Sequence, residues 1–464
     1  MKKSIFFALF LIVSKIALSQ NIVGQWSGSL EIQGTKLPIV LNIEKSDDGY
    51  KATMDSPSQG AKGISVEKVS LDNNKLEIKM PKLQIEYQGA CFSDELIIGT
   101  FKQAGLSLPL NLTKSKTAIV INRPQEPKEP FSYHSEEVTF INSKENITLA
   151  GTLTLPENEG KFPAVILISG SGPQNRNEEI FGHKPFFVLA DYLTRNGIVV
   201  LRFDDRGVGK STGDFSKATT ANFATDVEAA VEFLMNRKEI NSKKIGLIGH
   251  SEGGIIAPMV AANSKDVSFI VLMAGTGIRG ADLLLMQQEL IGRASGASEA
   301  DLQKSKLINQ QIFDSVLENS DTDKLKAELI DHLKKVISEN SEMNDGKTSE
   351  SEIIEKQLKQ IMNPWMLFFL RHNPADVLEK VNCPVLAING EKDLQVPADV
   401  NLNAIKKALD KAKNKDVTVK SFPNLNHLFQ ECKTGSPSEY GTIEQTISPV
   451  VLEEIGRWVK NQTR

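Results

Sequence analysis

The chain has 464 residues and a formal net charge of −4, with 40% hydrophobic and 24% charged residues. That length holds one large α/β domain with a smaller companion, or about three average domains; with no basic block and no aromatic-interleaved Lys/Arg run, it gives no reason to expect a nucleic-acid partner. Three cysteines, Cys91, Cys383 and Cys432, fit neither a disulfide framework nor a metal-ligand spacing, and without an HExxH or Cys/His cluster no metal or cofactor is expected.

Met1-Lys2-Lys3 is basic, Ile5 to Val13 is an apolar run, and Ala17-Leu18-Ser19 offers small residues where a signal peptidase reads. Residues 1–19 therefore have the pattern of a removed export signal. The run is too short for a spanning helix, which needs about 20 apolar residues. An exported protein, periplasmic or extracellular and without stable membrane insertion, is expected.

Residues 20–120 alternate apolar and polar positions in segments such as "LPIVLNIEK", "KLEIKM" and "ELIIGTF", separated by turn clusters such as Ser46-Asp47-Asp48-Gly49. Period-two alternation with turn punctuation predicts an antiparallel all-β domain, a small barrel or sandwich. "RPQEPKEP", Arg123 to Pro130, reads as a linker, placed at 121–135.

From 136 to 464 the pattern changes. Continuous apolar runs, "PAVILISG", "GIVVLRFD", "KIGLIGHS", "VSFIVLMAG" and "PVLAING", read as strands buried on both faces. Helical segments separate them: in "NFATDVEAAVEFLMNR", Phe223, Val227, Ala230, Val231 and Leu234 recur at helical spacing. This alternation predicts a doubly wound, mostly parallel α/β sheet. Between Gly277 and Lys380 it gives way to a helical insertion rich in Leu, Lys, Glu and Gln, whose stretch "NPWMLFFLRHNP" is unusually apolar for a connector.

Gly207-Val208-Gly209-Lys210-Ser211 resembles the end of a phosphate-binding loop, but Asp204 stands where the first glycine should be, and a carboxylate there would repel the anion. The stronger signal is Gly249-His250-Ser251-Glu252-Gly253, a G-x-S-x-G sequence between a strand and an apolar helix. Its glycines permit a turn tight enough to expose the Ser251 hydroxyl, the candidate nucleophile. Serine needs a base held by a third group, and in this arrangement the acid and the histidine follow it along the chain. Asp393, just past "PVLAING", is the acid of choice, with Glu391 and Asp399 as rivals. Of six histidines, His134, His183 and His250 precede the serine, and His332 and His372 lie in the insertion, leaving His427 as the base. An oxyanion would be met by the backbone N–H of Glu252 and, after "AVILISG", that of Ser171. The Glu252 side chain is assigned no role.

With these motifs in view, residues 136–464 resemble the α/β-hydrolase superfamily, and most of all secreted bacterial serine esterases. The resemblance is carried by Gly170 to Arg176, Asp204 to Ser211, Gly249 to Gly254, Gly390 to Pro397 and Asn426-His427. It implies an α/β-hydrolase sheet with a helical lid at 277–380, and it makes Asp205 and Arg206 scaffold in a loop beside the nucleophile turn. Many relatives carry His where Ser169 stands, which implies altered loop packing with the backbone donors kept. The expected activity is ester hydrolysis on a small molecule through an acyl-enzyme. An aminopeptidase-like or acyl-transferring relative is the competing enzyme reading, and a glycan- or lipid-binding envelope protein with a degenerate hydrolase domain is the non-enzymatic one. The insertion leaves the sheet at the edge where ligands bind, so Trp365 and Phe369 become candidates for the wall of an acyl pocket.

Overall fold

The computed structural model describes residues 22–464 apart from 33–34, 73, 104–105, 115–121, 157–159 and 340–348. The expected export signal lies outside the described residues. These divide into two compact units, one holding residues up to Pro57 and from Ala61 to Lys114, the other Ser58–Gly60 and residues from Asn122 onward. No helix among the described residues is long and apolar enough to cross a membrane.

The first unit is one antiparallel sheet of ten strands: β1 (Gly24–Ile32), β2 (Thr35–Ser46), β3 (Gly49–Ser56), β4 (Ala61–Ser65), β5 (Lys68–Asp72), β6 (Lys75–Met80), β7 (Ile85–Ser93), β8 (Leu96–Gln103), β9 (Leu106–Pro109) and β10 (Leu112–Lys114). Their order is β4-β3-β2-β1-β10-β8-β7-β6-β5, with β9 on β8. β4 and β5 are opposite edges of that order, yet only Val66 and Glu67 separate them, and Val66 N–H donates to Ala52 of β3 at 3.1 Å. Paired strands lie about 4.8 Å apart, so two residues could not join the edges of a flat sheet of this width; the sheet curls on itself as a barrel. Alternation sends Leu76, Ile78 and Met80 of β6, with Tyr87 and Cys91 of β7, into a core around Trp26.

The second unit is built on eight strands, β11 (Tyr133–Asn142), β12 (Ile147–Pro156), β13 (Phe162–Ile168), β14 (Val199–Phe203), β15 (Ile240–His250), β16 (Phe269–Met273), β17 (Val385–Gly390) and β18 (Val417–Phe422), in the order β11-β12-β14-β13-β15-β16-β17-β18. β11, β12 and β14 pair antiparallel; from β14 to β18 every pairing is parallel. Successive side chains of a strand point to opposite faces. Ala164 and Ile166 of β13 thus join a core with α2 (Thr220–Met235), α3 (Gly253–Ala261) and α10 (Ala398–Lys411), whereas Val165 and Leu167 join one with α1 (Pro185–Arg195) and the C-terminal helix, α11 (Pro449–Gln462). The helical periodicity of α2 delivers Val227, Ala230, Val231 and Leu234 to the first core; Phe223 is half-buried and stacks on Phe215 at 5.2 Å.

Between β16 and β17 stand α4 (Gly280–Ala294), α5 (Glu299–Glu318), α6 (Thr322–Glu339), α7 (Glu350–Ile361), α8 (Pro364–Arg371) and α9 (Ala375–Leu378). α4 to α8 enclose a core of their own that includes Phe313, Val316, Leu329 and Leu370. The apolar α8 sequence follows from its position. Met366, Leu367 and Leu370 face that core, while Trp365 and Phe369, four apart on another side of the helix, pack with Ile255 of α3, Leu283 of α4 and Val396. α8 therefore hides two faces.

The segment read as a linker is anchored. The Arg123 guanidinium donates to the carbonyls of Phe181, Gly182, Gly441 and Ile443, and Gln125 bonds Thr446 and Ile447. Its proline-rich composition concealed one Arg with several carbonyls to satisfy it.

Candidate active site

Ser251 stands in the turn between β15 and α3 at φ +52°, a left-handed conformation rare for a residue with a Cβ. Its N–H donates to Met273 O at 2.9 Å, and its carbonyl accepts from Gly254 at 2.9 Å, which fixes the turn from both sides. The flanking glycines are required by contact: a Cβ on Gly249 would lie 2.0 Å from Gly253 O, and one on Gly253 2.2 Å from Ile168 O.

Of the three acids considered for the site, the structure brings only Asp393 to His427, with Oδ2 2.7 Å from Nδ1 and both side chains nearly removed from solvent. The other Asp393 oxygen accepts the N–H groups of Gln395 and Val396, each at 2.8 Å. Glu391 is exposed and accepts from Ser421; Asp399 is exposed in the first turn of α10. The residue before His427 shapes its loop, because Asn426 Oδ1 accepts the N–H groups of Leu428 and Gln430.

The loop after β13 carries the glycines and Ser171. Gly170 N–H is committed to Glu178 Oε1 at 2.6 Å. The N–H groups of Ser171 and Glu252 have no acceptor among the described residues, so both are free to meet an anion. The Glu252 side chain does not cap α3: it is buried, and Oε1 accepts from Thr220 Oγ1 at 2.6 Å and from Trp365 Nε1 at 2.7 Å. Burial raises its carboxyl above the ordinary range, with those two donors opposing. Trp365 also stacks on Phe369, ring centroids 5.0 Å apart, so α8 of the insertion is joined to the residue following Ser251.

The loop after β14 bonds directly to the loop after β13. Strand β13 lies between β14 and β15, so the Asp205 loop reaches the Ser251 turn across the loop that follows β13. Asp205 accepts from Ser169 Oγ at 2.8 Å and from Gln174 N–H at 2.9 Å. Burial pushes its carboxyl up to about 8, those two bonds opposing, and the neighbouring Glu252 and Glu178 add to the rise. Asp204 grips Arg176 through three hydrogen bonds and accepts Lys210 N–H, an intramolecular use of the glycine-lysine sequence that resembled a phosphate loop. Arg206 pairs with buried Asp226. Ser169, Gly170, Gly172, Asp205 and Glu252 line a cavity of about 20 Å³, room for about one water-sized molecule.

Two residues without an expected role join this constellation. His250 places Nδ1 2.9 Å from Glu178 Oε1 and Nε2 3.0 Å from the carbonyl of His427, with ring centroids of the two histidines 4.8 Å apart. His250 had a visible signal, its place inside the G-x-S-x-G sequence; Glu178 had none. Among the described residues no group of three or more His, Cys, Asp or Glu could hold a metal ion, and the three cysteines are free thiols.

A serine at positive φ on a tight turn between a parallel strand and a helix, at G-x-S-x-G spacing, is the arrangement of α/β-hydrolase folds, and the chain is an α/β hydrolase. Residues 184–431, more than half of it, match the family described as serine aminopeptidase, S33, and the chain belongs to that family. Esterase EstD of Thermotoga maritima is 26% identical over 339 residues, covering 71% of this chain and 68% of that protein. An uncharacterised protein of Pseudomonas aeruginosa is 33% identical over 138 residues, 29% of this chain and 35% of that one. Among solved structures, an esterase of Pyrococcus furiosus aligns with TM-score 0.44 and 17% identity over 75% of this chain and 100% of that one. Est1E of Butyrivibrio proteoclasticus, bound to ferulic acid, aligns with TM-score 0.41 and 17% identity over 70% of this chain and 99% of that one.

Proposed function

We propose that the protein cleaves carboxylic esters of small molecules through an acyl-enzyme on Ser251. Ser251 Oγ attacks the ester carbonyl carbon as its proton passes to His427 Nε2, and Asp393 holds Nδ1 protonated and stabilises the imidazolium. The carbonyl oxygen becomes an oxyanion met by the N–H groups of Ser171 and Glu252. Collapse breaks the bond to the alkoxy oxygen, which leaves as the alcohol with the proton from His427. Water then repeats the sequence on the acyl-enzyme, releasing the carboxylic acid and restoring Ser251. The observation that carries this reading is the 2.7 Å Asp393–His427 pair, joined through the His427 carbonyl to the residue before Ser251.

The family description invites an aminopeptidase reading, and a peptidase of that kind must hold a substrate ammonium. Glu178, Asp205 and Glu252, carboxyl groups clustered around the loop after β13, each already accept two hydrogen bonds from the protein. This favours esters, as does the similarity to EstD. Export, read from residues 1–19, would place the reaction outside the cytoplasm. The test is labelling with a fluorophosphonate, followed by a panel of esters and aminoacyl amides: Ser251 should be the labelled residue and esters the faster substrates. An unlabelled chain, or amides turned over faster, would overturn the proposal.

A further inference from the structure

Glu178 and His250 take no part in the acyl-transfer steps above, yet they are buried among the loops those steps require, 3% and 6% exposed. His250 is the last residue of β15, directly before Ser251. Both of its ring nitrogens face acceptors, the Glu178 carboxylate at 2.9 Å and the His427 carbonyl at 3.0 Å. A neutral imidazole has one N–H and satisfies one such contact; the imidazolium satisfies both. The same Glu178 oxygen accepts Gly170 N–H at 2.6 Å. A Cβ built on Gly170 would come within 3.2 Å of both that oxygen and Ser251 Cβ, so the loop, the carboxylate and the nucleophile are packed together. Glu178 adopts φ +51° to reach this place, a strained backbone for a non-glycine residue.

We infer that Glu178 and a doubly protonated His250 are positioning residues for hydrolysis, a buried carboxylate–imidazolium bridge that fixes the Gly170–Ser171 backbone and the His427 backbone against Ser251. This rests on the serine-hydrolase reading of the same site. Glu178 takes the Gly170 N–H, which leaves Ser171 the next free donor of the loop, and His250 holds the loop that carries the base. The bridge acts by preorganising donors and base and touches no reacting atom. Burial alone would strip the proton from His250, but the Glu178 carboxylate outweighs it and holds the group above the ordinary histidine range, with the His427 carbonyl and Asp393 acting in the same sense. The other neighbours are the His427 ring and, at 6.4 Å between centroids, the uncharged Phe429. Asp205 and Glu252 are the further carboxyls of the neighbourhood, both kept toward their protonated forms by burial.

Two measurements test the bridge. In wild-type protein with ¹⁵N-labelled histidine, NMR of the His250 ring, identified by its absence from His250→Gln, should show both nitrogens protonated from about pH 6 to about pH 8, where an ordinary histidine loses its charge. A single protonated nitrogen at neutral pH overturns the inference, and this readout does not depend on any variant keeping its activity. Glu178→Gln keeps size and an acceptor while removing the charge. Counted per fluorophosphonate-labelled site, its kcat should fall by about 10²-fold, the scale of a small misplacement of catalytic groups, with KM little changed. Its alkaline limb should move to lower pH as His250 gives up its proton earlier. Wild-type kcat with an unmoved alkaline limb overturns the inference. A wild-type chain that fails to label at Ser251 defeats the serine-hydrolase reading itself, whereas one that labels but holds a singly protonated His250 defeats only the bridge.

Discussion

Asp393 presents one carboxylate oxygen to His427 and the other to two backbone N–H groups of its own loop. That division makes Asp393→Asn a clean test of the acid. The amide oxygen can keep the two backbone bonds, so the fold should survive. The amide NH₂ would then face His427 Nδ1 and favour the tautomer whose Nε2 already bears a proton and cannot accept one from serine. Turnover should fall by about 10⁴ with the unfolding midpoint nearly unchanged, and Glu391→Gln and Asp399→Asn should stay close to wild type. A mild Asp393→Asn beside a severe loss in either rival would show that the acid lies elsewhere.

The turn at Ser251 makes a prediction in which stability and activity part company. Ser251→Ala should abolish labelling and lower turnover by about 10⁴ to 10⁶, the scale at which a triad nucleophile acts. Ser251→Gly should be equally inactive but more stable than Ser251→Ala by about 1 kcal/mol, because alanine inherits the left-handed φ of +52° at a cost that glycine does not bear. Denaturant unfolding of the two variants decides it. If Ser251→Gly proves the less stable, the turn holds no strain worth releasing.

What the sequence made legible was whatever leaves a local mark. Gly249 and Gly253 are demanded by backbone contacts four or five residues away or at the end of the adjacent strand, so the G-x-S-x-G spacing announced them. The double-faced burial of β13 to β17 showed as unbroken apolar runs. Glu178 and His250 meet across 72 residues, and Glu252 and Trp365 across 113, by pairings that impose no period and no composition. Arg123 was hidden for the same reason, its carbonyl partners lying as far as 320 residues along the chain.

Asp205 gives a pH dependence with a definite sign. In the folded chain its carboxyl is pushed up to about 8, whereas an unfolded aspartate titrates near about 4. The folded state binds this proton more tightly, so the stability it contributes is fully present below about pH 4 and is lost progressively as pH rises toward 8. Asp205→Asn removes the titration. Whatever the variant loses in hydrogen bonding to Ser169 and Gln174, its unfolding free energy relative to wild type should climb steadily between those limits. A difference that stays constant across the window would mean that Asp205 is ionised throughout in both states.

The insertion meets the core through Trp365 and Phe369, and their geometry separates a structural role from a role in substrate choice. Trp365 donates its indole N–H to Glu252 and stacks on Phe369, which is buried with Ile255, Leu283 and Val396. Ile255 lies on α3, one turn beyond Ser251, and Val396 accompanies Asp393 in its loop, so under the proposed mechanism this apolar cluster would be the wall that an acyl chain meets. Trp365→Phe keeps the stacking and removes the donor, leaving a buried carboxyl one bond short at a cost of about 1–3 kcal/mol. It should lower stability while leaving the ranking of acyl chain lengths as it was. Phe369→Ala and Trp365→Ala instead empty space beside Ile255. Each further CH₂ that such space removes from water is worth roughly 0.8 kcal/mol, so kcat/KM for medium relative to short acyl esters should rise by up to about fourfold per CH₂, with Ser251 still labelled. The measurement is a chain-length series of esters on all three variants, counted per labelled site. If every profile keeps its wild-type shape and falls only with the folded fraction, Trp365 and Phe369 hold the insertion to the sheet and the acyl chain lies elsewhere.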